Sequence, residues 1–149
     1  MIPMSAKHIH LQIITPREIK VDEKVDMVIM RCTTGDMGFL PGHEARSAVL
    51  GNGILRVMSG DSERWMAVFG GLAEIKNDVL TILTTVAEWP EDIDRARAEE
   101  DREHYERRLQ MAADDIDIQN DHVSLRRSLV RIEVSAYSTL SKPEVKEKE

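Results

Sequence analysis

The chain has 149 residues, 32% of them charged and 4% aromatic, and carries a net charge of −7. Two Trp, two Tyr and two Phe cannot supply a large core along that whole length, so one compact part and one thin part are expected. The acidic balance argues against a nucleic-acid partner, and the lone cysteine, Cys32, forms no internal disulfide, which fits a reducing compartment.

Met1 to Lys7 lack the apolar centre of a signal peptide. No run nears the roughly 20 apolar residues that cross a bilayer, so membrane association is expected only through a partner protein. From His8 to Val86 the pattern is one of short apolar runs separated by turn chemistry. Ile9, Leu11 and Ile13 alternate with polar neighbours, and Pro16 ends the run. Val25 to Met30, Ile54 to Met58 and Trp65 to Phe69 come next, the last stopped by Gly70-Gly71. Leu72 to Lys76 and Val79 to Thr84 flank Asn77-Asp78, the signature of a tight hairpin. Short antiparallel strands at this spacing predict an all-β domain, a β-sandwich, over residues 1–87.

At Glu88-Trp89-Pro90-Glu91-Asp92 the periodicity changes, because proline and acids favour a helix start over a central strand. Ile93 to Ala113 lacks interior glycine and proline, and Arg102 and Glu106 stand one helical turn apart. Asp114-Asp115-Ile116-Asp117 breaks that helix and caps the next. The second helix then carries Ile118, His122, Leu125, Leu129, Ile132, Ala136 and Leu140 on one stripe, facing Ala96, Ala98, Tyr105, Leu109 and Ala112 of the first. The expectation for residues 88–141 is a thin antiparallel helical hairpin, poorly stabilised by its own packing and able to open when another surface offers more. The tail, residues 142–149, alternates charge around Pro143 and is expected to be disordered.

Several constellations invite chemistry. His8 and His10 share a strand face, but no third ligand is visible and a surface strand outweighs a metal site. Gly35-Asp36-Met37-Gly38-Phe39-Leu40-Pro41-Gly42-His43 lacks the Lys-Ser or Lys-Thr of a phosphate-binding loop and reads as a shaped turn suited to recognition. Ser62 is not in a nucleophile elbow and Cys32 has no histidine nearby in sequence, so no catalytic residue is assigned.

Asp94 and Arg97 lie about a turn apart at a helix start, and Arg127 and Arg131 form a one-turn pair on the second helix. Guanidinium forks suit phosphate oxygens, so two folded helices could clamp a nucleotide. Equally, Asp94 complements the helix dipole and the arginines pair with acids or stay solvated.

The Gly35–His43 segment, succeeded by Ile93-Asp94-Arg95-Ala96-Arg97-Ala98, resembles the epsilon subunit of bacterial F-type ATP synthases over nearly the whole chain, from about His8 to Leu140. That resemblance implies a non-catalytic central-stalk subunit, peripheral at the cytoplasmic face of the cell membrane. Its sandwich would join gamma to the c-ring, and its helices would extend to the α/β head and inhibit ATP hydrolysis. Asp36 and His43 fall at positions associated with c-ring and gamma contacts. Ile93, Asp94, Arg97 and Ala98 match the family's ATP-binding element, with Arg127 and Arg131 as partners. No cofactor is required on this reading, and ATP is a regulatory ligand.

Three departures stand out: His104 replaces an arginine of ATP-binding relatives, Val21 an aromatic residue, and Glu44-Ala45-Arg46-Ser47 an apolar stretch. The rival reading is a β-sandwich and coiled-coil adaptor outside any rotary motor.

Overall fold

The computed structural model describes residues 8–111 and 114–140, with side chains as far as Tyr137. The expected tail and the Ala112 and Leu140 ends of the helical stripes lie outside what is described. The chain divides after Ala87 into two compact units.

In the first unit, β1 (Ile9–Ile14) buries Ile9, Leu11 and Ile13 completely, as a period of two predicts. Strand β2 (Ile19–Val25) pairs antiparallel with it, Ile9 opposite Val25. Sequence reading missed β2 because an edge strand needs few apolar residues: only Val21 and Val25 are buried among Lys20, Asp22, Glu23 and Lys24. The run read as Val25 to Met30 is two strands. Asp26 parts β2 from β3 (Met27–Cys32), its N–H bonded to the Met58 carbonyl and its carboxylate to the Gly60 N–H at 2.6 Å.

The Gly35–His43 segment is likewise corrected. Its first five residues form β4 (Gly35–Phe39), antiparallel to β3 from Val28–Phe39 to Cys32–Gly35, and only the part from Leu40 onward is loop. An edge position tolerates the glycines because β4 is bonded on one side only.

Strands β5 (Arg46–Ser59) and β6 (Ser62–Lys76) are far longer than predicted and pair along their entire length. Gly70-Gly71 does not stop β6. With φ of +76° and +126° the pair bends it, and burial passes from the continuous run Met66 to Phe69 to alternation at Ala73 and Ile75. In β5 the inward positions switch phase between Leu50 and Leu55, across Gly51 and Gly53. Such corners let two long strands serve both layers of a sandwich. Asn77 and Asp78, both at positive φ, turn β6 into β7 (Val79–Leu83) as expected.

The strand order is β2-β1-β7-β6-β5-β3-β4; β8 (Ala87–Glu88) pairs with β6, and β1 runs parallel to β7. The core between the layers holds Ile9, Leu11, Ile13, Val28, Met30, Phe39, Leu55, Val57, Met66, Ile75, Leu80 and Ile82.

The second unit opens with a 3-10 turn, Pro90–Asp92, then α1 (Arg95–Met111) and α2 (Asp115–Leu140). Asp114 caps α2, accepting the Ile116 N–H at 3.1 Å. The helices run antiparallel: Arg108 reaches Asp121 near the connection, while Ala98 and Asp101 share a cavity with Arg131 at the far end.

The predicted stripes need correction. Among the described residues α1 buries only Ala98, and α2 buries Asp121, Ser128, Val130 and Val134, whereas His122 and Leu129 face solvent. Ile118, Leu125, Ile132 and Ala136 are half-buried, and Ala96 is exposed. Val130 and Val134 share the inward face with small Ala98 and Ser128 and the ion-paired Asp121, and the last three do not register in an apolar periodicity.

Candidate functional site

Three surfaces of the two units are candidates, and the most enclosed is built around the start of α1. Asp94 is its N-cap: Oδ1 accepts the Arg97 N–H at 3.1 Å, and its carbonyl accepts the Ala98 N–H at 3.0 Å. One turn earlier, Asp92 Oδ2 accepts the Trp89 N–H at 3.0 Å and Ile93 donates to the Pro90 carbonyl. These bonds fix the approach to the helix. Across from them on α2, Arg131 forks onto Glu88, Nε to Oε1 at 2.8 Å and Nη2 to Oε2 at 3.3 Å.

Between these groups lies a cavity of about 290 Å³. Its wall takes in Ile93, Asp94, Arg97, Ala98 and Arg131, so five of the six residues proposed from sequence for nucleotide binding meet at one place. Arg127 does not line it, and its Nε is buried. Glu88, Asp92 and Asp101 also line the wall and were missed, since a contact between Glu88 and Arg131 leaves no local pattern in sequence. Four carboxylates thus face two guanidinium groups.

His104 lies away from this site. It edges a second cavity of about 480 Å³ at the connected end of the helices, with Arg107, Arg108, Asp114, Asp117 and Asp121. There Arg108 Nε holds the nearly buried Asp121 at 3.1 Å.

The second candidate is the loop after β4. Gly42, at φ +83°, donates its N–H to Asp78 Oδ1 at 2.7 Å, which ties the loop to the β6–β7 turn. The His43 ring packs on Phe39 with centroids 5.1 Å apart, and its Nδ1 donates to the Glu44 carbonyl at 2.7 Å. Asp36 is not in this loop. It sits near the opposite end of β4, where the Arg31 guanidinium donates to its exposed carboxylate at 3.1 Å.

The third candidate was not foreseen. Reading register across five strands gives Ile19, Ile14, Leu83, Leu72 and Val49 in one row from β2 to β5. Neighbours in register share a face, and Ile19, Leu83, Leu72 and Val49 are each at least half exposed. A mainly apolar groove of about 370 Å³ runs beside the row, between Pro16, Gly71, Leu83 and Thr84. A contiguous apolar ridge on a water-facing sheet marks a contact surface. The signal is present in Val79 to Leu83, where apolar residues occupy both phases of the strand, so one phase is left facing out.

The two histidines at the start of the sheet each take one carboxylate from the β2 side: His8 Nδ1 donates to Asp26 at 2.9 Å, and His10 pairs with Asp22. Among the described residues no three potential metal ligands gather. The Gly60 N–H, and then His8, hold the Asp26 carboxyl below the usual range. Burial, and then Asp36, push the Cys32 thiol up, away from nucleophilic use. No helix among the described residues is long and apolar enough to cross a membrane.

The β-sandwich domain of the ATP synthase delta/epsilon chain matches residues 8–90, and the long alpha-helix domain of the same chain matches residues 91–136. The chain belongs to the ATP synthase delta/epsilon family. It is 38% identical over 128 residues to the ATP synthase epsilon chain of Halalkalibacterium halodurans, covering 85% of this chain and 96% of that one. With the epsilon chain of Bacillus subtilis it shares 37% over 129 residues, covering 87% and 98%.

Among solved structures, a chain of the Euglena gracilis mitochondrial ATP synthase, OSCP/F1/c-ring in rotational state 1, superposes with a TM-score of 0.74 at 25% identity, covering 90% of this chain and 82% of that one. A chain of the Tetrahymena thermophila mitochondrial ATP synthase central stalk and c-ring shares the fold, with a TM-score of 0.55 at 14% identity over 87% and 94%. The two matched domains follow one another in this chain, and its match spans nearly the whole length of these two epsilon chains.

Proposed function

We propose that this epsilon-family chain is a non-catalytic subunit of the synthase's central stalk, joining gamma to the c-ring through its sandwich and restraining ATP hydrolysis through its helices. The observation that carries the reading is the ordered pair of family domains filling residues 8–136 of one chain. Physical support comes from the ridge and the loop. A torque-bearing part must be stiff, and a fully buried core with long bent strands makes the sandwich so. The ridge Ile19-Ile14-Leu83-Leu72-Val49 offers gamma an apolar seat, and the loop with Leu40 exposed and His43 packed on Phe39 offers the ring a shaped contact.

The helical unit suits a movable brake because it buries so little. Val130 and Val134 contribute about 1.5–3 kcal/mol each by burial, Ile118, Leu125, Ile132 and Ala136 are only half-buried, and Ala98 and Ser128 are too small to add much. An opening of that order is within reach of a competing surface, here the α/β head. ATP held between Asp94, Arg97 and Arg131 would favour the folded hairpin by its differential affinity. The subunit would then sit at the cytoplasmic face of the membrane, peripherally and only as part of the complex.

The test is capture. Tagged chain, co-expressed with gamma and the α/β head of its own cell, brings both down. The paired substitution Leu72→Asp and Leu83→Asp, at positions already water-facing, leaves the fold intact and abolishes capture. Equal recovery of gamma by both forms would remove the ridge from the function, and recovery by neither would remove the stalk reading.

A further inference from the structure

The helical hairpin is held together by different means at its two ends. The half that contains the start of α1 and the later turns of α2 buries Ala98, Ser128, Val130 and Val134. In the half next to the connection, residues 99–111 of α1 and 115–127 of α2, the one buried residue among those described is a carboxylate, Asp121. Tyr105, Leu109, Ile118 and Leu125 are only half-buried there.

At 6% exposure the Asp121 side chain is shut off from bulk water, so its charge depends on Arg108, whose Nε donates to Oδ2 at 3.1 Å. Arg108 itself is half exposed, and the cavity of about 480 Å³ beside the pair leaves its guanidinium within reach of solvent. The two partners are therefore unequal. Removing the arginine strands a carboxylate in the interior, whereas removing the carboxylate returns an arginine to water. The surroundings sharpen the inequality: Arg107, Asp114 and Asp117 line the same cavity, so loss of Arg108 leaves three carboxylates facing one guanidinium beside His104.

We propose that Arg108 on Asp121 is an electrostatic latch on the connected half of the hairpin, deciding how readily α1 and α2 part there and so how readily the helices are released. The latch rests on burial and charge within the hairpin. Its consequence for ATP hydrolysis rests on the brake reading of the helices.

Hydrogen exchange of the full chain, followed by mass spectrometry, reads residues 99–111 and 115–127 separately from residues 128–137. Native chain is compared with Arg108→Gln, Asp121→Asn and the double variant, with Arg108→Lys as the conservative change and circular dichroism to confirm helix content. In Arg108→Gln the connected half exchanges roughly ten- to hundredfold faster, less than for a fully buried pair because the arginine is half exposed. Asp121→Asn, of nearly the same size and neutral, stays within about threefold of native, and adding it to Arg108→Gln restores that rate. Arg108→Lys falls between, keeping the charge without the planar fork. Assembled with gamma and the α/β head, Arg108→Gln hydrolyses ATP at least about twofold more slowly than native, and the double variant recovers.

Equal acceleration by Arg108→Gln and Asp121→Asn, or no recovery in the double variant, overturns the latch, since either outcome is that of ordinary packing. The unequal pattern with unchanged ATP hydrolysis upholds the latch and overturns the brake.

Discussion

The bend in β6 supports the ridge, and a single methyl group at Gly71 tests that. Gly71 holds φ +126°, and a Cβ built there would lie 2.2 Å from the Leu83 carbonyl oxygen and 3.1 Å from both Cα and Cβ of Thr84. The first distance is well inside contact and involves backbone, so β6 and β7 must part or β6 must straighten. Strain at such a φ costs on the order of 1–3 kcal/mol, and forcing packed backbone apart adds about 1–3 more. Gly71→Ala should therefore lose roughly 2–6 kcal/mol, a large share of a small domain's stability.

Gly60 is the matched control. Its φ is +57°, and nothing lies within 4 Å of a built Cβ, so Gly60→Ala should cost only about 1–2 kcal/mol. Urea unfolding monitored by Trp65 in a Trp89→Phe background compares the two. With a slope of roughly 1–2 kcal/mol per molar, the midpoint should fall by about 2–4 M for Gly71→Ala and by about 1 M for Gly60→Ala. Equal midpoints would show that β6 and β7 do not approach so closely at Gly71.

Three further outcomes are expected. Asp94→Ala should lower helical-unit stability by about 1 kcal/mol, read by amide exchange in α1, while Asp94→Asn, which keeps a capping oxygen, should not; equal losses would mean that the charge, not the cap, matters. Removing residues after Glu88 should leave a folded sandwich and raise ATPase activity of the assembled enzyme, and unchanged activity would retire the brake. Asp26 has a depressed folded-state pKa, so its stabilising contribution is present above the usual carboxylate pKa of about 3.9 and is lost as pH falls through the lower folded value. Asp26→Asn should flatten that acid limb, and an unaltered limb would assign it to other carboxylates.

What sequence revealed and what it hid divide along physical lines. Ile9, Leu11 and Ile13 were legible because one face of β1 is wholly buried, and Asn77-Asp78 because only a few residue types accept positive φ in a two-residue turn. Strand β2 was hidden because edge strands are written in charge, and β4 because its glycines imitate a loop. In the helices, Ala98 and Ser128 bury without announcing it, so a count of apolar residues placed Leu129 and His122 on the wrong side.

At the site, Asp94, Arg97, Ala98 and Arg131 could be nominated from spacing and motif, whereas the carboxylate that fills the fork could not. Glu88 is local to the domain boundary in sequence and local to Arg131 only after α2 has folded back. The ridge was invisible for a related reason: exposure is a property of several strands in register, and no one strand carries it.

The parallel pairing of β1 with β7 has a bearing on synthesis. His10 stands opposite Val79, and β1 also separates β7 from β2 in the sheet, so the amino-terminal strand has its second neighbour only after most of the domain has left the ribosome. Until then the β1–β2 hairpin is a nascent two-stranded ribbon with Ile9, Leu11 and Ile13 uncovered, a stretch that invites chaperones or premature association. Long-range closure of this kind makes for slow folding, and it makes the first strand the last to be locked in place.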